Sequence, residues 1–444
     1  MALLCFFCFY KTILKKYGQT FCMESHIYFC IDLKTFYASV ECAERSLDPF
    51  KTNLVVADTK RGQGTICLAI TPALKNLGVR NRCRLYEIPQ NIKYIAVKPR
   101  MKKYIEYSAK VYEVYLKYIA SQDIHPYSID EMFFDVTNYL KLYKMSAVTL
   151  AKTILADVLK TTKITATCGI GTNLFLAKVA LDLLAKHSKT NIAYLDEDLF
   201  KEKLWTHTPL TDFWHIGNGI QNHLSKLGIH TMKDIASADQ NLLFKHFGVN
   251  AQILIDHAFG KEPTTIADIK KYQPQSESLS SSQVLFRDYT FSQAKVVLIE
   301  MIDSLCLKLV ESGKVCSVVG VSVSYSKNVI KKTGMSKKLQ IFTQSFKILK
   351  TEILALFEKS TKPDVPIRKI GIWFGNLLDE KYESYNLLTN KAQTKKEQQT
   401  LRAVSKIKRK FGKNSILRGV SLDADATQKF RNTLIGGHSS GEED

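Results

Sequence analysis

The chain has 444 residues, 45% hydrophobic and 24% charged, a globular composition that excludes a disordered or fibrous protein. Lys and Arg outnumber Asp and Glu by 63 to 42, a formal charge of +21 spread along the whole length, which suits a long polyanion lying across several domains. No apolar run reaches the roughly 18 residues that cross a bilayer, and the ten cysteines are scattered singly, so a cytoplasmic, reducing setting without a disulfide framework is expected.

Residues 1–25 read as an N-terminal extension. Met1 to Tyr10 is apolar but lacks the charged start and the cleavage site of a signal peptide. Cys5 and Cys8 have CxxC spacing without a second pair, which argues against zinc. The apolar run Ile27-Tyr28-Phe29-Cys30-Ile31 predicts a buried strand over 26–32 that ends in Asp32. An Asp placed there is costly unless compensated, and a metal ion would compensate it. A helix follows over 33–46, with Phe36, Ser39, Val40 and Ala43 on its inner face. Residues 54–99 are rich in turns, and 101–120 form an amphipathic helix marked by Tyr104, Tyr107, Val111, Val114, Tyr115 and Tyr118.

A hairpin over 126–136 carries the adjacent carboxylates Asp130 and Glu131. Together with Asp32 they are an all-oxygen set suited to Mg²⁺. Two such ions against a phosphoryl group are the apparatus of nucleotidyl transfer. A helix covers 146–160, a strand Ile164–Ile170, and a helix Asn173 to about Lys186. Gly169-Ile170-Gly171 alone is too short for a dinucleotide fingerprint. From 193 short helices and turns take over, and Lys261 to Ser282 reads as a polar linker. Beyond it, helices at 292–312 and 345–358 alternate with strands at 315–325, 338–343 and 367–374, the pattern of an α+β domain. The tail from 379 is polar and basic, with one amphipathic helix at 395–411.

The strings DLKTFYASVE, SIDEMFFD and CGIGTNLFLAK, in that order, resemble the Y-family DNA polymerases, the low-fidelity translesion enzymes, nearest to their UmuC-like branch in Gram-positive bacteria, phages and plasmids. The resemblance runs from about residue 26 to residue 438. It implies a multidomain α/β and α+β right hand: palm at 26–35 and 100–192, fingers at 36–99, a helix-hairpin-helix thumb at 193–262, a linker at 263–282, a little finger at 283–378 and a basic tail at 379–444. It also implies a monomer that binds primer–template DNA and a dNTP and works in an SOS-type repair response.

By position, the resemblance makes Asp32, Asp130 and Glu131 the metal-binding catalytic carboxylates for two Mg²⁺ ions, with the Leu33 carbonyl near the second. Phe36 and Tyr37 lie beside the incoming sugar, Tyr37 as the steric gate against a ribose 2′-hydroxyl. Lys178 meets the triphosphate. Where many members carry a tyrosine and an arginine for the triphosphate, this chain has Pro72 and Lys75. Lys75 still offers charge, but as a point cation without the guanidinium fork. Gly217 and Gly219 resemble a helix-hairpin-helix turn that approaches DNA phosphates through backbone N–H groups. Arg287, Lys327, Lys331, Lys332, Lys337 and Lys338 are candidate DNA contacts in the little finger. A sliding-clamp peptide is eroded at Ser384 to Leu388, without the leading glutamine and final aromatic. Two rival readings stay open: a nucleotidyl cyclase on a similar palm, and a non-catalytic DNA-binding accessory.

Overall fold

The computed structural model describes residues 26–274, 276–326, 330–385 and 390–441. The N-terminal extension with Cys5 and Cys8, Lys327, and Asn386 to Leu388 of the clamp-like peptide lie outside them. The chain forms two compact units, one running up to Gln273 and including the residues from His438, the other Pro274–Gly437.

The first unit begins β1 (Tyr28–Leu33), α1 (Phe36–Glu44), β2 (Leu54–Val56), β3 (Ala69–Ile70), α2 (Pro72–Asn76), β4 (Ile95–Val97) and α3 (Met101–Leu116). It continues through β5 (Ile124–Pro126), β6 (Glu131–Asp135), α4 (Thr137–Tyr143), α5 (Ala147–Thr162), β7 (Ala166–Gly171), α6 (Leu174–Val179) and β8 (Ile192–Leu195). The main sheet has the order β5-β6-β1-β7-β8, with β1 antiparallel to both neighbours and β7 parallel to β8. Buried on both faces, β1 is apolar at every position before Asp32. A small separate sheet, β3-β2-β4, carries α2 and closes over its own core of Val55, Ile70, Leu74 and Leu85.

Side chains alternate across a strand, so Tyr28, Cys30 and Asp32 share one face. Their register partners there are Asp135, Phe133 and Glu131 on β6, and Gly171, Gly169 and Thr167 on β7. The two glycines let α6 lie almost on the strand. A Cβ on Gly169 would fall 2.1 Å from the Ala177 carbonyl oxygen, and one on Gly171 would fall 2.2 Å from the Ala177 nitrogen. The short GxG is therefore a packing device between strand and helix. The helix expected over 173–186 changes form on the way: α6 passes into a π turn, Ala180–Leu184, and a 3₁₀ turn, Ala185–His187.

Small helices complete the unit: α7 (Glu197–Leu204), α8 (Asn218–Lys226), α9 (Met232–Ser237), α10 (Gln240–Phe247), α11 (Asn250–Ala258) and α12 (Ile266–Lys271). They enclose Phe200, Phe213, Leu224, Met232, Leu243 and Leu254. Buried His257 bonds Glu262 at 3.0 Å and stacks on Phe175 at 4.0 Å, which fastens this helical layer to α6. The expected linker is thus corrected: Ile266–Lys271 is a capped helix with Ile266 in the core.

The second unit opens on β9 (Ser278–Tyr289), so Ser278–Ser282, also assigned to the linker, is ladder. Its serines pair with β12 and leave no apolar alternation to read. The unit continues through α13 (Phe291–Glu311), β10 (Lys314–Tyr325), β11 (Thr333–Thr343), α14 (Phe346–Ser360) and β12 (Ile367–Asp379), in an antiparallel sheet of order β11-β10-β12-β9. The tail is not a loose appendage. Helix α15 (Lys391–Phe411) packs Leu401 on Leu307 and Val310 of α13. Next, α16 (Gln428–Arg431) is clasped by buried Glu300, whose Oε2 accepts from the Thr427 and Gln428 N–H groups at 2.8 and 3.1 Å. Seven cysteines are described, and all are buried and free. Among the described residues no helix is long and apolar enough to cross a membrane.

Candidate active site

Register brings the carboxylates together. Asp32 is the direct cross-strand partner of Glu131, and Asp130 sits in the turn just before it, its carbonyl accepting the Leu33 N–H at 3.0 Å. Ser128 donates its hydroxyl to Asp130 Oδ1 at 2.6 Å and so fixes that side chain. Glu131 is buried, and its carboxylate accepts from the Cys30 thiol at 3.2 Å. Burial pushes the Asp32 carboxyl up to about 6, with Asp130 and Glu131 adding to the effect and Lys186 opposing it. Of the described residues, Lys186 alone pairs with Asp32 at contact distance, and the three neighbouring carboxylates offer only hard oxygen donors. That donor set fits a divalent ion such as Mg²⁺. Among the described residues no three Asp, Glu, His or Cys side chains already converge on one point.

Lysines face these carboxylates from α6 and the turns after it. Lys178 Nζ lies 2.7 Å from Glu131 and 3.0 Å from Asp182, and is only 8% exposed. Burial acts to lower its pKa, but Cys30, Glu131 and Asp182 hold it above the ordinary lysine value. Lys178 is therefore a buried strut for Glu131. Lys186, which the sequence did not single out, lies 2.8 Å from Asp32 and 2.8 Å from Asp182 with its side chain 36% exposed. The alternating charges of Lys178, Asp182 and Lys186 at steps of four were a partial signal, completed only by the π turn between them. Lys75 stands on α2, its pKa lowered by burial and then by Lys186, with Asp32 and Lys34 also acting on it. Lys34, Lys75 and Lys186 thus form a cationic group at the Asp32 end of β1. Pro72 is the first residue of α2, where a missing N–H is not needed, so its departure from the family pattern fits the local fold.

Phe36 is buried beneath the site, whereas Tyr37 is half-exposed, its ring 4.6 Å from that of Tyr104. Partial burial raises the Tyr37 hydroxyl, with Asp130 adding and Arg82 opposing. The support below is ionic. Fully buried Glu41 accepts from Arg100 at 3.0 and 2.8 Å, from Tyr104 at 2.8 Å, and from Arg45. That network ties α1 to α3 and sets the Tyr37–Tyr104 spacing.

The remaining candidates lie elsewhere. Gly217 caps α8 and Gly219 is in its first turn; a Cβ at either meets nothing within 4 Å, so internal packing does not demand glycine there. In the second unit Lys331, Lys332, Lys337 and Lys338 are exposed on and before β11, with Lys337 2.7 Å from Glu352. Arg287 is engaged internally, 2.5 Å from Asp425 and stacked over Tyr289 at 4.7 Å. Ser384 pairs with Phe342 across the β11 edge.

Known proteins resemble this arrangement over most of its length. Residues 31–182 match the model of the impB/mucB/samB family, and residues 276–387 match the C-terminal domain of the same family. A Bacillus subtilis protein named for UV-damage repair, UvrX, is 31% identical over 93% of this chain and 97% of its own. A DNA polymerase IV of the same organism is 29% identical over 94% and 99%. Among solved structures, a Y-family DNA polymerase chimera superposes with a TM-score of 0.62 at 21% identity, covering 80% of this chain and 99% of that one.

Proposed function

The chain belongs to the impB/mucB/samB family of Y-family DNA polymerases, and from that premise we propose that it is an error-prone translesion polymerase, extending a primer 3′-hydroxyl with dNTPs across damaged template. The observation that carries this is the cross-strand pair Asp32–Glu131 with Asp130 beside it, facing a group of lysines. In this reading the main sheet and its helices are the palm, residues 36–99 the fingers, the small helices the helix-hairpin-helix thumb, and the second unit the little finger.

Family membership carries a dependence on divalent metal, and Asp32, Asp130 and Glu131, with the Leu33 carbonyl, would hold two Mg²⁺ ions. Such ions, when bound, acidify the primer hydroxyl and neutralise the triphosphate and the leaving pyrophosphate. The chain's own residues do the rest. Lys178 holds Glu131 in place. Lys186, exposed beside Asp32, meets the triphosphate, and Lys75 and Lys34 add charge along the same path. Tyr37, propped by Phe36 and Tyr104, fills the space that a ribose 2′-hydroxyl would need.

Gly217 and Gly219 would admit a phosphate to the backbone, and Lys331, Lys332, Lys337 and Lys338 would grip duplex backbone without reading sequence. Arg287 must first leave Asp425 to join them. The protein works as a monomer in this scheme; whether a sliding clamp joins it is read from extension length with and without the clamp. A cyclase has no use for this DNA grip.

The test is primer extension past an abasic site with Mg²⁺, run beside an Asp130→Asn, Glu131→Gln double variant. Extension by the wild type alone is expected, with the variant down about a thousandfold or more because metal-borne stabilisation of several kcal/mol is lost. No extension by either, with DNA binding intact, would favour the non-catalytic accessory.

A further inference from the structure

Asp182 touches no carboxylate of the site, yet it joins both lysines that do. Its Oδ2 lies 3.0 Å from Lys178 and its Oδ1 2.8 Å from Lys186, so one carboxylate spans the two cations that face Glu131 and Asp32. Ion pairs alternate in sign along the row Glu131–Lys178–Asp182–Lys186–Asp32, with every link between 2.7 and 3.0 Å. Burial alone would raise the Asp182 carboxyl, but Lys178 and Lys186 hold it below the ordinary carboxylate value, so it is an anion between two cations.

The backbone is shaped to make that row. At 3.6 residues per turn, an ordinary helix would carry Lys186 about 80° round the axis from Lys178, off the face that looks at β1. Asp182 sits inside the π turn Ala180–Leu184, which winds more residues into each turn and reduces that drift. Such turns are rare and concentrate at functional sites. The glycines of β7 hold the start of the row against the sheet, and Leu181 of the same turn is the second backbone that a Cβ on Gly169 would strike, at 2.3 Å.

Lys186 has four rotatable side-chain bonds and a third of its surface in water, so held by Asp32 alone it would reach more rotamers than when clamped between Asp32 and Asp182. We propose that Asp182 is a positioning residue for nucleotide addition, acting through Lys186: it holds that ammonium at the Asp32 end of the site, where the triphosphate of the incoming nucleotide is met. The inference rests on the polymerase reading and on the role given there to Lys186. Lys178 needs Asp182 less, because Glu131 and burial already fix it.

The experiment is single-nucleotide insertion on an undamaged primer–template by the full chain, comparing wild type, Asp182→Asn, Asp182→Glu, Lys186→Ala and the Asp182→Asn, Lys186→Ala double variant. A wild type that inserts nothing would sink the polymerase reading itself and is distinct from every outcome below. Given an active wild type, Asp182→Asn is expected to raise KM for the dNTP about tenfold, as for loss of one charge-assisted hydrogen bond, with kcat moved less. Melting temperature and DNA affinity should stay as in the wild type, and Asp182→Glu should recover part of the loss. The double variant should be no worse than Lys186→Ala, because a residue acting through Lys186 has nothing left to position. Wild-type kinetics in Asp182→Asn, losses that multiply in the double variant, or a fall in melting temperature that glutamate does not repair would each overturn the proposal.

Discussion

The two sheets of this protein carry charge in opposite ways. On the main sheet, Asp32, Glu131, Lys178 and Asp182 are wholly or largely buried, and each has a named partner at hydrogen-bond distance. On the β11 side of the second unit, Lys331, Lys332, Lys337 and Lys338 stand in solvent, and Lys337 pairs only with the surface carboxylate of Glu352. Buried charge demands geometry, because an unpaired ion in a core is costly; exposed charge demands only sign. Single substitutions should therefore act through shape in the first region and through salt dependence in the second.

The largest effect expected from that contrast concerns packing. Gly171→Val puts a branched side chain where a single Cβ already falls 2.2 Å from the Ala177 backbone nitrogen, and the row of lysines cannot keep its place if α6 retreats. Urea unfolding should show a loss of about 1–3 kcal/mol or more, or no folded protein at all. A fully stable and active Gly171→Val protein would break the account of α6.

Tyr37→Ala should come next. Removing the ring that rests on Tyr104 opens room for a 2′-hydroxyl, and rNTP use relative to dNTP should rise roughly tenfold or more. An unchanged ratio would assign Tyr37 to packing alone. The smallest effects should come from the second unit. Lys331→Ala, Lys332→Ala and Lys337→Ala should each reduce the slope of log affinity against log salt by up to about 1, uniformly across DNA sequences. A sequence-dependent loss would count against backbone grip, and a loss of kcat at saturating DNA would erase the distinction between the two regions.

What could be read from the chain divides along the same line. Asp32 was legible because a carboxylate after an apolar run breaks the local pattern, Asp130 and Glu131 because two acids adjoin an apolar hairpin strand, and β register brings Asp32 opposite Glu131. Phe36 was legible as a residue of the inner helix face, and Tyr37 drew its role from the resemblance alone. The structure separates them into a buried prop and a half-exposed ring, a distinction set by helix rotation after the αL residue Thr35. Lys178 was read as the triphosphate lysine from the resemblance alone; Lys186 was not singled out, because the π turn that brings it to Asp32 is invisible in residue type. Ser278–Ser282 was read as linker because a strand built from serines has no alternation, and only its ladder to β12 declares it. The tail was read only as polar and basic, because the residues that seat it, Leu307 and Val310 under Leu401 and Glu300 under Thr427, come from far earlier in the chain.

Glu300 gives that last point a meaning in time. One oxygen of its buried carboxylate, Oε2, is met by backbone groups lying 127 and 128 residues further along, with no nearer hydrogen-bond donor among the described residues. A ribosome adding about 5–20 residues per second makes Glu300 wait on the order of ten seconds before Thr427 and Gln428 exist. Through that interval the α13 face that will receive α16 stays in water, with the Glu300 carboxylate hydrated rather than buried. The last contacts of the second unit are thus timed by synthesis: α16 closes over Glu300 only after Thr427 has emerged, and a nascent chain halted before it keeps that face open to water.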